Sequence, residues 1–155
     1  MTTEPAYQLA QINIARMLAP LDSPQLADFV AALEPLNAAA DRAEGFVWRL
    51  ADGEYGGNAT GSRIYGDDWL LVNMSVWRDP GTLEAYVYSP EHRPVLKRRR
   101  EWFERPAEAM TALWWVPAGH RPTVAEAEVR LDLLRAKGPT AEAFTLKDRF
   151  PAPDA

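Results

Sequence analysis

Two histidines, a mid-strand asparagine and a set of tryptophans are the residues of this chain whose types suit chemistry. His92 and His120 are the only histidines, and each stands just before or at a helix start. Prolines flank both (Pro90 and Pro94; Pro117 and Pro122) and restrict the local backbone. A helix N-terminus favours the neutral imidazole, the form a general base needs near pH 7. The alternative for both is a turn residue bonded to backbone. Asn73 shares a strand face with Ser75 and Trp77. A buried amide is costly unless bonded, so Asn73 either holds a neighbouring group or presents itself to a ligand. Asn13 on the first strand is a similar case. Trp48, Trp77, Trp114 and Trp115 either pack a core or wall a small-molecule pocket. Arg98 and Trp102, four apart on a helix, can place a cation over a ring, and Arg99 beside them can meet an anionic ligand group.

Several chemistries are absent from the pattern. There is no cysteine, which removes disulfides, thiolate metal sites and thiol nucleophiles and fits a reducing cytoplasm. Two histidines without HxH or HExxH spacing do not make a metal site, although Glu91, His92 and His120 hold the residue types of one. Ser62, Ser75 and Ser89 lack the Gly-x-Ser-x-Gly context of a nucleophile, and no dinucleotide fingerprint occurs. A net charge of −5 argues against a nucleic-acid binder. The basic run Lys97-Arg98-Arg99-Arg100 is the local exception. On one helix it would pair with itself, Lys97 with Glu101, Arg100 with Glu104 and Glu101 with Arg105. No apolar run approaches the roughly 20 residues that span a membrane, and the N-terminus lacks the features of a signal peptide.

The positioning elements follow from hydrophobic period. A length of 155 residues makes one domain with a substantial core. Tyr7 to Ile14 reads as a first strand, and Ser23-Pro24 as an N-cap and first helical residue. Leu26, Phe29, Val30 and Leu33 carry the apolar stripe of that helix, and Pro35 is expected to break or kink it before a second piece from Leu36 to Ala43. Phe46 to Leu50 reads as the second strand. A Gly-rich stretch from Asp52 to Asp68 then forms the longest loop, expected to be mobile. Trp69 to Trp77 is the clearest strand, and its residues are apolar on both faces. Helices are expected from Asp79-Pro80 and from Ser89 to about Phe103. A fourth strand covers Ala112 to Val116. A last helix opens on the capping box Thr123-x-x-Glu126 and stops at Gly138-Pro139. Residues 144–150 either add an edge strand or drape over the core. The order predicts an α+β fold, a ferredoxin-like four-stranded antiparallel sheet with helices on one face. The face left open then calls for a second copy, so a homodimer with a shared barrel is expected.

Trp77, Ser89, His92, the basic run, Glu101-Trp102-Phe103, Leu113-Trp114-Trp115-Val116-Pro117-Ala118-Gly119-His120 and Pro122-Thr123 together resemble the bacterial domain-of-unknown-function family 3291. Asn13-Ile14-Ala15 and Phe46-Val47-Trp48 are similar too, and the resemblance runs over residues 7 to 151. It implies the dimeric α+β barrel superfamily, alongside antibiotic-biosynthesis monooxygenases and haem-degrading enzymes. The expectation is a cofactor-independent monooxygenase-like enzyme acting on an apolar or aromatic metabolite. His120 or His92 would be the base, and Asn73, Trp77, Trp115, Trp48 and Arg99 would line the ligand site. The alternative is a non-catalytic dimer that binds a hydrophobic ligand or haem, with a histidine on the iron and the Arg run at the propionates.

Overall fold

The computed structural model describes residues 5–51 and 62–153. Its centre is the antiparallel pair of β1 (Tyr7–Arg16) and β3 (Leu70–Trp77), in register from Leu9 opposite Trp77 to Arg16 opposite Leu70. β4 (Thr111–Pro117) lies on the far side of β1, and β2 (Phe46–Arg49) on the far side of β3. The order β2-β3-β1-β4, all antiparallel, is the ferredoxin-like sheet that the sequence predicts. The expected mobile loop falls largely on residues 52–61, outside the described residues.

Alternation along β1 sends Leu9, Gln11, Asn13 and Ala15 to one face and Ala10, Ile12 and Ile14 to the other. α1 (Ala27–Arg42) covers the first face through Phe29 and Leu33, which cluster with Ala15 and Leu71. α2 (Pro80–Val87) covers the other end of that face through Leu83 and Tyr86, beside Leu9 and Trp77. α5 (Val124–Lys137), which follows the last strand, lies on the opposite side. Its Ala127, Leu131 and Leu134 join Ala10, Ile12, Ile14, Val72, Met74, Val76 and Trp114 in one continuous core. The expectation of an open second face is therefore corrected. That face is buried inside the single chain, and a second copy is not required to cover it. Ile64 and Ala143 complete the layer.

Three helix expectations change. Pro35 sits inside α1 without ending it, because Pro35 and Ala31, whose carbonyl loses its partner, are both exposed to water. Leu33, Leu36, Asn37 and Ala40 carry the buried stripe straight past it. Ser23 does not cap the helix with its side chain. Its hydroxyl turns back to the Pro20 carbonyl, and a 3-10 turn over Pro24–Leu26 leads into α1. The predicted helix to Phe103 splits at Arg98 into α3 (Arg93–Lys97) and α4 (Arg99–Trp102). With the helix broken, the i,i+4 pairs Lys97–Glu101, Arg100–Glu104 and Glu101–Arg105 do not form. Arg98 instead grips Glu101 and Asp28 and lies 4.9 Å over the Trp102 ring.

Both sheet edges are short of free ladder. Phe144 exchanges two backbone hydrogen bonds with Leu113 on the outer edge of β4, and the Trp115 ring donates to the Phe150 carbonyl. The tail therefore both pairs and drapes. On the other edge, β2 has four residues and a register shift between Phe46 and Trp48. Leu131 is fully buried under this architecture. Replacing it with Ala is expected to cost about 2–5 kcal/mol of stability, read as a lowered denaturant midpoint. A midpoint unchanged within error would mean that α5 does not pack on the sheet.

Candidate functional site

The two sheet faces are sealed differently. The α5 face carries one unbroken apolar cluster, whereas the α1/α2 face carries two, one at each end of the β1–β3 pair. Between them runs a polar strip two rows deep. In the first row Arg49, Ser75, Gln11 and Leu113 are register neighbours across four strands, and in the second Asn73, Asn13 and Thr111 follow across three. Gln11 and Ser75 are buried, while Asn73, Asn13 and Thr111 are exposed. Two carboxamides side by side on a rigid floor, open to solvent within an otherwise apolar layer, make the candidate site.

The buried row is held by short bonds. Gln11 Nε2 donates to Asn73 Oδ1 at 2.7 Å and to Ser75 Oγ at 2.8 Å, and Trp77 Nε1 donates to Ser75 Oγ at 2.8 Å. These contacts satisfy groups that would be expensive to bury unpaired. The β2 side of the strip closes with Arg49, whose guanidinium donates to Asp41 of α1 at 2.8 Å. Trp77 is only 1 % exposed, so its ring is a fixed support behind the strip. Phe46 meets it edge-on at 5.5 Å, and Tyr86 stacks on it at 5.2 Å.

His92 stands behind Tyr86, with ring centroids 5.2 Å apart. Its Nδ1 lies 2.9 Å from the Val87 carbonyl, an acceptor, so the proton sits on Nδ1 and the Nε2 lone pair is left. Burial pushes this imidazole below its ordinary range, against the opposing pull of the Val87 bond, and keeps it neutral at pH 7. His120 is elsewhere. It is exposed, and its Nε2 pairs at 2.7 Å with Glu126 on α5, across the sheet from the two asparagines. Glu126 also accepts from Trp114 Nε1 at 2.8 Å. Burial raises that carboxyl, but the bonds from His120 and Trp114 outweigh it and hold the group below the usual carboxylate range. The capping box is thus half formed: Thr123 accepts from the Glu126 backbone, while the Glu126 side chain serves the strand and the histidine.

The other expected site residues scatter. Trp48 packs into the α5-side cluster, away from Asn73. Trp115 shares the α1/α2 face but sits at its end, beside Phe144. Arg99 is exposed and folds back on the Leu96 carbonyl. His120 and the basic run lie on opposite sides of the sheet and do not flank one haem. Among the described residues no cluster of three His, Asp or Glu is placed to hold a metal, and no helix is long and apolar enough to cross a membrane. Gln11, Thr111 and Arg49 are the polar strip residues that sequence reasoning missed. The available signal was Leu9-Gln11-Asn13-Ala15, a strand face polar at its centre and apolar at both ends.

A family model described as Domain of unknown function (DUF3291) matches residues 8–155. No curated protein matches the chain. Among solved structures, PA3566 from Pseudomonas aeruginosa superposes with a TM-score of 0.50 at 13% identity, covering 79% of this chain and 100% of that one. A conserved protein from Methanosarcina mazei Go1 gives 0.50 at 12% identity, with 72% and 93% covered. SnoaB from Streptomyces nogalater, described as a cofactor-independent oxygenase, gives 0.48 at 19% identity, with 76% and 97% covered. The likeness to the two structures at 0.50 speaks for the fold alone.

The depressed His92 imidazole has a consequence for stability. The unfolded chain takes up a proton near pH 6.5 while the folded chain resists it, so folding stability is full above that pH and falls as pH drops through 6.5. Denaturant midpoints from pH 8 to 5 should show this loss, and His92→Gln should flatten its upper part. A wild-type midpoint that is flat or rises towards pH 5.5 would contradict the burial of a neutral ring.

Proposed function

The chain belongs to the DUF3291 family, and we propose that it is a small-molecule enzyme, a cofactor-independent oxygenase of acidic aromatic compounds such as phenols and anthrones. One observation carries this reading: Asn13 and Asn73 stand exposed and adjacent on paired strands, between the two apolar clusters at the ends of that sheet face. Flat apolar walls with a few fixed polar groups suit an aromatic ligand with one or two oxygens. Neutral amide donors favour the ionised oxygen of such a ligand without a competing positive charge. An electron-rich phenolate or enolate can itself reduce O2. One oxygen atom enters the ring system as a carbonyl, the other leaves as water, and a CH2 group supplies the two hydrogens.

The two asparagines contact the ligand in this reading, and Trp77 braces the floor. His92 shares their side of the sheet but is screened by Tyr86, so it acts by supporting the Tyr86–Trp77 stack. His120, paired with Glu126 across the sheet, is outside the reaction.

Aerobic incubation with 1,8-dihydroxyanthrone, following O2 uptake and quinone absorbance, tests the proposal. Enzyme-dependent conversion at one O2 per substrate is expected. Asn73→Ala should lower kcat/KM by about 10²–10³-fold, as loss of an oxyanion donor does, and His120→Ala should leave it unchanged. Tight binding of such compounds with no O2 uptake above the uncatalysed rate would make the protein a binder and end the oxygenase reading.

A further inference from the structure

The buried row beneath the strip determines which way the Asn73 amide points. Both Gln11 Nε2 hydrogens are used, one on Asn73 Oδ1 at 2.7 Å and one on Ser75 Oγ at 2.8 Å. Ser75 Oγ accepts a second bond from Trp77 Nε1, an indole that can only donate. With two donors on it, the Ser75 oxygen has no lone pair left to accept from the Asn73 N–H2, and Gln11 is the side chain bonded to the oxygen of that carboxamide. Gln11 is 6 % exposed and Ser75 7 %, so water does not compete for these contacts, whereas Asn73 itself reaches the exposed side. An amide whose oxygen is tied to Gln11 in the buried row keeps its nitrogen as the group left to meet a ligand.

Resting on the reading of the strip as an aromatic-binding site, we infer that Gln11 is a positioning residue that fixes Asn73 with its N–H2 outward, so that the strip takes its ligand through an anionic phenolate- or enolate-type oxygen. With its own oxygen held by Gln11, the Asn73 amide offers N–H donors that stabilise an acceptor and no oxygen to the proton of a neutral hydroxyl. The preference for the ionised ligand therefore comes from a residue that the ligand does not touch. The opposite orientation, with the Asn73 carbonyl outward, would select the neutral phenol, so the two arrangements differ in the sign of a measurable shift.

The probe is 7-hydroxycoumarin, whose phenol and phenolate absorb at different wavelengths, titrated from pH 5 to 10 free and bound to saturating protein. Wild type should lower the bound pKa by about one unit, a tenfold preference for the phenolate. Gln11→Met, which keeps bulk but has no donor, should return the bound pKa to the free value. Asn73→Leu should do the same. Should Gln11→Met prove unstable, Gln11→Glu serves: its carboxylate only accepts, must draw the Asn73 N–H2 inward, and should push the bound pKa above the free value. A bound pKa in wild type that is equal to or above the free value overturns the inference, as does a lowered pKa that survives in both Gln11 variants. Failure of wild type to bind the probe at all would instead remove the aromatic-site reading, and the inference with it.

Discussion

The β1–β3 pair is apolar on both faces, and the rest of the molecule is arranged by the need to cover both. Ala10, Ile12, Ile14, Val72, Met74 and Val76 face one way, and Leu9, Ala15, Leu71 and Trp77 face the other. The crossover connections place α1 and α2 on one side, as the right-handed βαβ rule requires. Nothing in that unit reaches the second side. α5 and the residues after it supply the missing layer, with Ile64 of the β2–β3 connection. Tyr65 fastens that connection to α5: its backbone N–H donates to Glu128 at 2.7 Å and its hydroxyl to Asp132 at 2.8 Å, at a left-handed φ of 55°.

Uneven cover is what creates the site. The α5 layer closes its face into one continuous apolar cluster. α1 and α2 reach only the two ends of theirs, and the polar residues in the middle must satisfy one another. Placing them on paired strands gives them a stiffer mounting than a loop would. Glu126 plays the matching part on the far side. It joins the first turn of α5 to the Trp114 ring of β4 and pairs with the His120 imidazole as well.

Much of this was legible in the residues. The strands, the helix start at Asp79-Pro80, the Thr123 cap and the Gly138 stop were readable because each depends on a local pattern of period, cap or turn. The side on which α5 lands was not. A strand apolar on both faces needs cover, and a helix of the same chain or a sheet of another would satisfy the identical alternation. Pro35 misled because a helix tolerates the lost bond when the bare carbonyl faces water. The break at Arg98 followed from long-range partners, Asp28 and the Trp102 pocket, that helical spacing does not encode. The site was half visible. Asn73, Asn13, Ser75 and Trp77 stood out as polar or large residues in apolar strands. Gln11 did not, since a polar residue at an alternate position looks alike whether it meets solvent or bonds to two side chains of the next strand.

The treatment of the sheet's two edges has a bearing on how so aromatic a chain behaves in concentrated solution. An unpaired strand edge is a template for another copy's strand, and six tryptophans would make such growth hard to reverse. Here Phe144 occupies the centre of one edge, while the other is four residues long and interrupted by its own irregularity. Neither offers a run of free amides and carbonyls long enough to seed a fibril. The covering layers protect the apolar parts of both faces, and among the described residues the ends of the sheet give a second molecule only a short row to extend.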